Sequence, residues 1–430
     1  MLNLTGKTVA ILGAGRSGRA AAALAYHCGA LVTVYDAGEA SRVPAGCDGV
    51  SNATAEVGRS VIVDLVVTSP GIETGGGFVQ AFAEGSGALW GEIELAWRCY
   101  PGRTIAITGT NGKTTTTELV RELVKATGRS CVACGNYGVP LAEVVLSGEF
   151  PDVIALELSS FQLETIDAFK PDAVIWLNFS ADHMDRYATL EEYRGAKLRI
   201  FRNCDMTTPL VIRSGENLGE LKGLQVTFSS EVEADWSLRG DMIYKGKSPF
   251  VALSNTRLRG SHNAEDLMAA CAVVDGLTPE LAVSALKDYR PPAHRCEVVG
   301  ILDGVEYLND SKATNLHALE SALKSQVRPT VLLVGGKEKG LDYQPLAALL
   351  SEKVIQLVSF GEIGPALSQA FSELLPCQSV STLREAVAAA QKAAPPGSTI
   401  LLSPGTSSFD QFRGYEERGE AFRSLVLDLN

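Results

Sequence analysis

Three times along the 430-residue chain, a short apolar run rich in β-branched residues ends in glycines and passes into a helical pattern. The first is "KTVAILGAGRSGRAAAALAYHCGALVTVYD" (7–36) and the second is "RTIAITGTNGKTTTTELVRELVKATG" (103–128). The third begins at "RPTVLLVGG" (328–336) and includes "STILLSPGTSSFDQF" (398–412). Strand, tight turn and helix in that order build parallel sheets, because a parallel pair needs a long crossover and the helix supplies it. Ligands of such sheets sit at the carboxyl ends of the strands. A chain of this length exceeds one ordinary core. The expectation is an α/β protein of three domains, 1–93, 94–293 and 294–430, with breaks near "WGEIEL" (90–95) and at the paired prolines of "YRPPAHR" (289–295). The short alternating runs between 205 and 260 read as a small β insertion in the middle domain.

Bulk properties exclude several classes of function. A formal net charge of −12 argues against nucleic acid, whose phosphates demand a basic surface, but leaves small phosphorylated ligands open. The nine cysteines are scattered and odd in number, which fits reduced thiols better than a disulfide framework. Cys131 and Cys134 form a CxxC with no second pair or histidine cluster, so strand packing is the preferred reading over zinc or redox work. No apolar run approaches the roughly 20 residues of a membrane helix. The first residues enter a strand without the charged-then-apolar layout of a signal peptide. A cytoplasmic enzyme without membrane insertion is expected.

"GAGRSG", from Gly13 to Gly18, matches GxGxxG between a strand and an alanine-rich helix, and Asp36 stands near the offset of a ribose-binding acid. The motif alone is weak. It fits a dinucleotide, any other pyrophosphate on a helix N-terminus, or a tight turn with no ligand. Nothing downstream resembles a hydride-transfer site, so a nucleotide site outside redox chemistry is favoured. "TSPGI" (68–72) supplies a second turn for the same crevice.

"TGTNGKTTTT" (108–117) fails the usual phosphate-loop pattern, since position 107 is Ile107 where glycine is wanted. The chemistry is nonetheless complete. Gly109 and Gly112 let the backbone of Thr110 and Asn111 turn its N–H groups inward, and a helix dipole backs them. Lys113 would reach terminal phosphates, while Thr114 and Thr115 open the helix, with the Thr114 hydroxyl suited to Mg²⁺. This makes the central domain P-loop ATPase-like and the flanking two Rossmann-like. Further groups follow strand ends: Glu157, Ser159, Ser160 and Gln162 in "VIALELSSFQLE", His183 in "NFSADHMDRY", and Lys197 in "YRGAKLRIF". Each alone could be a cap, a surface histidine or a helix-face lysine. Their shared placement favours a site able to hold a hard cation.

Here the chain resembles the Mur ligase family, and within it the D-glutamate-adding branch. The family loop TG[TS]NGK[ST] fits "TGTNGKT", and "ELSSFQLE", "DHMDRY" and "NDSKATN" (309–315) are similar to motifs of that branch. The resemblance covers all three domains. It implies that Gly15, Arg16, Ser17 and Asp36 hold a uridine nucleotide, with Asn136 of "GNYG" and Ser159 also on the substrate side. It implies ATP at residues 109–115, with Asn263, Arg295 and Asp310 contributing. Two Mg²⁺ ions are implied at Thr114, Glu157, His183 and Lys197, the lysine being carbamoylated. The amino acid would meet Lys312, Thr314, Lys339, Ser408 and Tyr415. Two departures stand out: Lys337 where the family often has an acid, and Tyr415 where it often has phenylalanine.

The implied reaction is ATP-dependent amide-bond formation between UDP-N-acetylmuramoyl-L-alanine and D-glutamate through an acyl phosphate. It belongs to cytoplasmic peptidoglycan precursor synthesis, and a monomer that closes its third domain on ATP is expected. Lys113, His183 and Lys197 are the candidate catalytic residues. The rivals are another Mur ligase, a folylpolyglutamate-type ligase, a nicotinamide dehydrogenase resting on Gly13–Gly18 alone, and a nucleotide-regulated binding protein resting on Gly109–Thr114 alone.

Overall fold

A computed structural model describes residues 2–40, 42–184, 186–290 and 292–429. Asp185 of "DHMDRY" and Pro291 of the paired prolines lie outside the described residues. The chain divides into two compact units, Met1–Thr256 with Glu265–Asp288, and Arg257–Ala264 with Tyr289–Asn430. Among the described residues no helix is long and apolar enough to cross a membrane.

The first unit begins with β1 (Thr8–Leu12), α1 (Arg16–His27), β2 (Leu31–Tyr35), β3 (Asp48–Val50), α2 (Ala55–Ser60), β4 (Leu65–Thr68), α3 (Gly77–Ala83) and β5 (Leu89–Gly91). The strands form a parallel sheet in the order β3-β2-β1-β4-β5. Strand order reverses between β1 and β4, which opens a crevice at their carboxyl ends. The "GAGRSG" turn follows β1 directly, as the sequence requires.

The "WGEIEL" stretch is no loop. It closes β5 and forms α4 (Glu92–Trp97), whose Ile93, Leu95 and Ala96 belong to one apolar cluster. That cluster joins Val9 and Ile11 of the first sheet to Ala106, Leu156 and Trp176 of the second. Glu94 is fully buried there, and its carboxylate accepts the backbone N–H groups of Asp167, Ala168 and Phe169 at 2.9–3.0 Å and Arg98 Nε at 2.7 Å. A buried carboxylate is tolerated only when its lone pairs are filled in this way.

The second sheet contains β6 (Arg103–Thr108), α5 (Lys113–Ala126), β7 (Cys131–Gly135), α6 (Leu141–Leu146), β8 (Val153–Glu157), α7 (Ser160–Leu163), β9 (Ala173–Trp176) and α8 (Leu190–Leu198). It continues through β10 (Pro209–Arg213), β11 (Leu224–Ser229), β12 (Trp236–Arg239), β13 (Met242–Lys245) and β14 (Ser248–Ala252). The order is β14-β13-β12-β11-β10-β9-β6-β8-β7. The stretch 205–260 is therefore an extension of the central sheet and not a separate insertion. β10 pairs parallel with β9, and only β13 is reversed, pairing antiparallel with β12 on one side and β14 on the other. The mixed pattern of this stretch arises because strands such as β11 and the edge strand β14 bury only part of their length. Cys131 and Cys134 are buried in β7, and burial pushes both thiols up, in keeping with packing. Two helices, α9 (Gly260–Val273) and α10 (Pro279–Leu286), complete this region of the chain.

The remaining elements are β15 (Glu297–Leu302), β16 (Val305–Asn309), α11 (Leu316–Lys324), β17 (Thr330–Gly335), α12 (Ala347–Lys353), β18 (Val354–Phe360), α13 (Gly364–Phe371), β19 (Cys377–Ser379), α14 (Leu383–Ala393), β20 (Thr399–Leu402) and α15 (Tyr415–Leu427). They build the sheet β15-β16-β20-β17-β18-β19, parallel except for β15. Apolar clusters cover both faces, so the strands read as continuous hydrophobic runs. The turns after β16, β17 and β20 gather at one edge.

Candidate active site

The strand β6 explains the missing glycine. Ile107 is fully buried and still paired with Glu157 of β8 and Ile175 of β9, so the turn begins only at Gly109. The short loop is held from the next strand end. Asn178 Oδ1 accepts Asn111 N–H at 2.9 Å, Asn178 Nδ2 donates to Asn111 O at 3.2 Å, and Thr110 N–H donates to Asn178 O at 2.9 Å. The Thr110 hydroxyl donates to Ser180 O at 3.1 Å. Gly112 starts α5 at φ 82°, and a Cβ there would collide with the Asp266 carboxylate. Lys113 folds back over its own loop, donating from Nζ to Gly109 O at 2.9 Å and to Thr110 O at 2.8 Å. Thr114 and Thr115 follow on the first turn of α5, both buried.

A second lysine reaches the same carbonyl. Lys197 on α8 is 1% exposed and donates to Gly109 O at 2.9 Å. Burial lowers its pKa well below the usual lysine value, and the nearby Lys113 charge lowers it further. A lowered pKa enlarges the fraction of Lys197 present as the free, nucleophilic amine. Its Nζ lies 4.9 Å from the ring centre of Tyr193, and the His183 ring stands edge-on to that ring at 5.9 Å. His183 is exposed, adopts a left-handed φ of 55° and also packs at a tilt against Phe161, ring centres 4.9 Å apart. Glu157 ends β8 and is 2% exposed. Its Oε1 accepts Asn136 Nδ2 at 2.7 Å, whereas Oε2 is buried with no hydrogen-bond partner. An orphaned buried carboxylate oxygen, at the end of the strand paired with β6, suits a hard divalent cation, which prefers oxygen ligands. Among the described residues no group of three or more His, Cys, Asp or Glu gathers as a metal site, so a cation here would draw on the Thr114 hydroxyl and on a modified Lys197 as well.

At the first glycine loop, a cavity of about 480 Å³ is lined by Gly15, Arg16, Ser17, Asp36, Ser69 and Pro70, among others. Asp36 braces this loop: Oδ2 accepts Ala14 N–H at 2.6 Å and Oδ1 accepts Gly38 N–H at 2.7 Å. Arg16 makes a two-pronged pair with Glu143 at 3.1 and 3.0 Å and also donates to Gly138 O. Ser159 is not among the residues lining this cavity; it caps α7 in a reciprocal capping box with Gln162. Gln162 Nε2 donates in turn to Glu92 Oε1 at 3.0 Å, and burial pushes Glu92 up to about 7.

In the second unit, Asn263 donates to Arg259 O at 2.7 Å on α9. Asp310 is buried beyond β16, accepting Ser403 Oγ at 2.8 Å and Cys296 N–H at 3.1 Å; burial pushes it up to about 7, opposed by Arg295. Lys312 Nζ lies 3.6 Å over the Tyr415 ring, a cation–π contact that keeps the ring in use. Thr314 is half-buried in the same turn and Ser408 is buried after β20. Lys337 pairs with Glu362 at 2.9 Å, whereas the exposed Lys339 makes no such pair among the described residues.

Comparison with known proteins decides the family. Residues 107–274 match the Mur ligase middle domain and residues 294–405 match the Mur ligase glutamate ligase domain. The chain is 37% identical over 450 residues to the UDP-N-acetylmuramoylalanine–D-glutamate ligase of Desulfitobacterium hafniense (strain Y51), covering 99% of this chain and 98% of that one. The chain belongs to the Mur ligase family. The enzyme of the same name from Geotalea uraniireducens (strain Rf4) is also 37% identical, over 100% of this chain and 99% of its own. Among solved structures, the UDP-N-acetylmuramate–alanine ligase of Thermotoga maritima shares the fold at a TM-score of 0.61 and 18% identity, covering 99% of this chain and 100% of that one. The MurF ligase of Thermotoga maritima does so at 0.61 and 15%, covering 100% and 96%. Mur ligases are ATP-dependent enzymes that form amide bonds and use Mg²⁺, and this chain is one of them.

Within this Mur ligase the structure brings Lys113, Thr114, Glu157, His183 and Lys197 to one end of the central sheet. Three residues escaped sequence reasoning. Asn178 lies inside "NFSADHMDRY" and could have been suspected as a strand-end polar residue. Asp266 reads as one more helix-face acid, and Glu94 as a surface glutamate; only long-range packing reveals either.

Proposed function

We propose that this Mur ligase joins D-glutamate to the terminal carboxylate of UDP-N-acetylmuramoyl-L-alanine in cytoplasmic peptidoglycan precursor synthesis, acting as a monomer of three domains (1–93, 94–293, 294–430). One observation carries the substrate assignment. Identity to D-glutamate ligases is 37% across the whole chain, against 18% to the alanine-adding structure of the same fold.

The uridine nucleotide enters the crevice of Gly15, Arg16, Ser17 and Asp36, its pyrophosphate facing the N-terminus of α1. Asn136 and Ser159 meet the substrate further along. ATP lies over residues 109–115. Mg²⁺, when bound, supplies positive charge against the phosphate oxygens. Thr114, Glu157, His183 and carbamoylated Lys197 would hold it, as two ions. The lowered Lys197 pKa favours that modification by enlarging the fraction of free amine: the amine nitrogen bonds to carbon dioxide, a proton leaves to solvent, and an anion replaces the amine.

In the first step a carboxylate oxygen of the alanyl group attacks the γ-phosphorus in line, and the bond to the bridging oxygen of ADP breaks. Lys113 swings from its own carbonyls to the developing charge. In the second step the D-glutamate amine attacks the acyl carbon, loses a proton, and phosphate departs with the acyl oxygen. Lys312, Thr314, Lys339, Ser408 and Tyr415 receive the two carboxylates of the amino acid. The Lys337–Glu362 pair favours Lys339 over Lys337 for this task.

The test is phosphate release with UDP-N-acetylmuramoyl-L-alanine, ATP and a panel of amino acids. Release that needs all three substrates and prefers D-glutamate is expected, and Lys113→Ala should abolish it. ATP turnover indifferent to D-glutamate, or wild-type turnover in that variant, would refute the reading.

A further inference from the structure

Arg418 on α15 is fully buried, yet no carboxylate pairs with it directly among the described residues. Its acceptors are neutral. Nε donates to Ser311 Oγ at 3.0 Å, and Nη2 donates to Ser311 O at 2.8 Å and to Thr406 O at 3.1 Å. Ser311 Oγ passes the bond on to Tyr415 O at 2.8 Å. Nη1 has no partner, and it faces Gly336, where an added Cβ would lie 3.1 Å from it and against Ser407 O. The hydroxyls of Ser407 and Tyr343 are buried without partners as well. One planar guanidinium thus touches the ends of three parallel strands: Ser311 after β16, Gly336 after β17 and Thr406 after β20.

Those ends bear the groups assigned above to the amino acid. Lys312 follows Ser311, Lys339 follows Gly336 in the same turn, and Ser408 follows Thr406. Burying an unpaired cation is costly, and burial lowers this guanidinium to about 10. Packing alone would be better served by an apolar side chain. What an apolar side chain cannot do is fix the spacing of three loops through a rigid fork of donors.

We propose that Arg418 is a positioning residue for the amino-acid site, setting the mutual spacing of the loops that carry Lys312 and Thr314, Lys339, and Ser408. Its role rests on the D-glutamate reading but is separable from it. A lysine at this position keeps the charge and loses the fork. Ser311→Ala removes one acceptor and leaves the charge buried.

The experiment measures KM for D-glutamate, KM for ATP, kcat and the melting temperature for wild type, Arg418→Lys and Ser311→Ala. The wild-type enzyme is first run against the amino-acid panel; should it prefer another amino acid, the substrate reading fails and KM for that amino acid becomes the readout. Arg418→Lys is expected to raise the amino-acid KM about tenfold or more, and Ser311→Ala about threefold, with KM for ATP within about twofold. A purely structural role would lower the melting temperature and leave amino-acid KM in folded enzyme unchanged. Wild-type amino-acid KM in Ser311→Ala and in Arg418→Lys overturns the proposal. If Arg418→Lys fails to fold, Ser311→Ala decides alone.

Discussion

Gly112 lets the geometry of the ATP loop be tested by separable terms. Its φ of 82° lies in the left-handed region, and an added Cβ would press on Asp266, a side chain only 5% exposed. Gly112→Ala therefore meets two costs. The left-handed backbone costs a residue with a Cβ about 1–2 kcal/mol. The collision with a carboxylate that has little room to withdraw adds roughly 1–2 kcal/mol. A total of about 2–4 kcal/mol, felt at the loop, corresponds to a roughly 30- to 1000-fold weaker hold on nucleotide. Asp266→Ala removes the obstruction but not the backbone strain. The double variant should therefore bind better than the two single effects predict, by about 1–2 kcal/mol in a double-mutant cycle. ADP affinity by calorimetry and KM for ATP by phosphate release measure the cycle, with circular dichroism to verify folding. Wild-type ADP affinity in Gly112→Ala would show that the left-handed turn does not shape the phosphate site. Strict additivity would clear Asp266 of the obstruction.

Two further outcomes follow from charge placement. Burial raises Glu92 to about 7, so the folded state holds more protons than the unfolded chain between about pH 4.5 and 7, and stability is lost as pH rises through that window. Glu92→Gln keeps an acceptor for Gln162 and cannot ionise, so its melting temperature should fall less than that of wild type between pH 5 and pH 8; equal falls would assign the loss to other groups. Lys337→Ala breaks only an exposed pair with Glu362 and should change KM for D-glutamate by less than about twofold. Lys339→Ala should raise that KM about tenfold or more, and the reverse order would move the carboxylate contact to Lys337.

What could be read from the sequence was what is local. Strand, glycine turn and helix repeat within a few dozen residues, so the three sheets were legible, as were Glu157 at a strand end, Lys113 opening the helix after one, and Lys197 on a helix. The stretch 205–260 misled because half-buried strands that extend one end of a large sheet and an independent small sheet leave the same alternating trace. Glu94 and Arg418 were invisible for a different reason. A charged residue in a helix reads as a solvated face unless one knows which distant backbone groups fill its hydrogen bonds, and those come from Asp167–Phe169 and from Ser311 and Thr406.

The carbonyl of Gly109 shows why the anomalous loop and the lysine of α8 belong to one device. Because Ile107 is still strand, the turn is too short to fold its first carbonyl away, and Gly109 O accepts from both Lys113 and Lys197. Two ammonium groups on one carbonyl repel, and the buried partner yields: Lys113 helps to push Lys197 towards the neutral amine. A neutral amine is what carbamoylation needs, and the resulting anion would then attract the cation that Lys113 no longer repels once it turns to phosphate. On this reasoning Lys113→Ala does two things at once. It removes a phosphate contact, and it raises the Lys197 pKa, lowering the fraction of carbamate at fixed bicarbonate. Carbamate content measured by ¹³C NMR under labelled bicarbonate should therefore fall in Lys113→Ala at neutral pH and recover as pH rises. An unchanged carbamate fraction across that range would uncouple the two lysines.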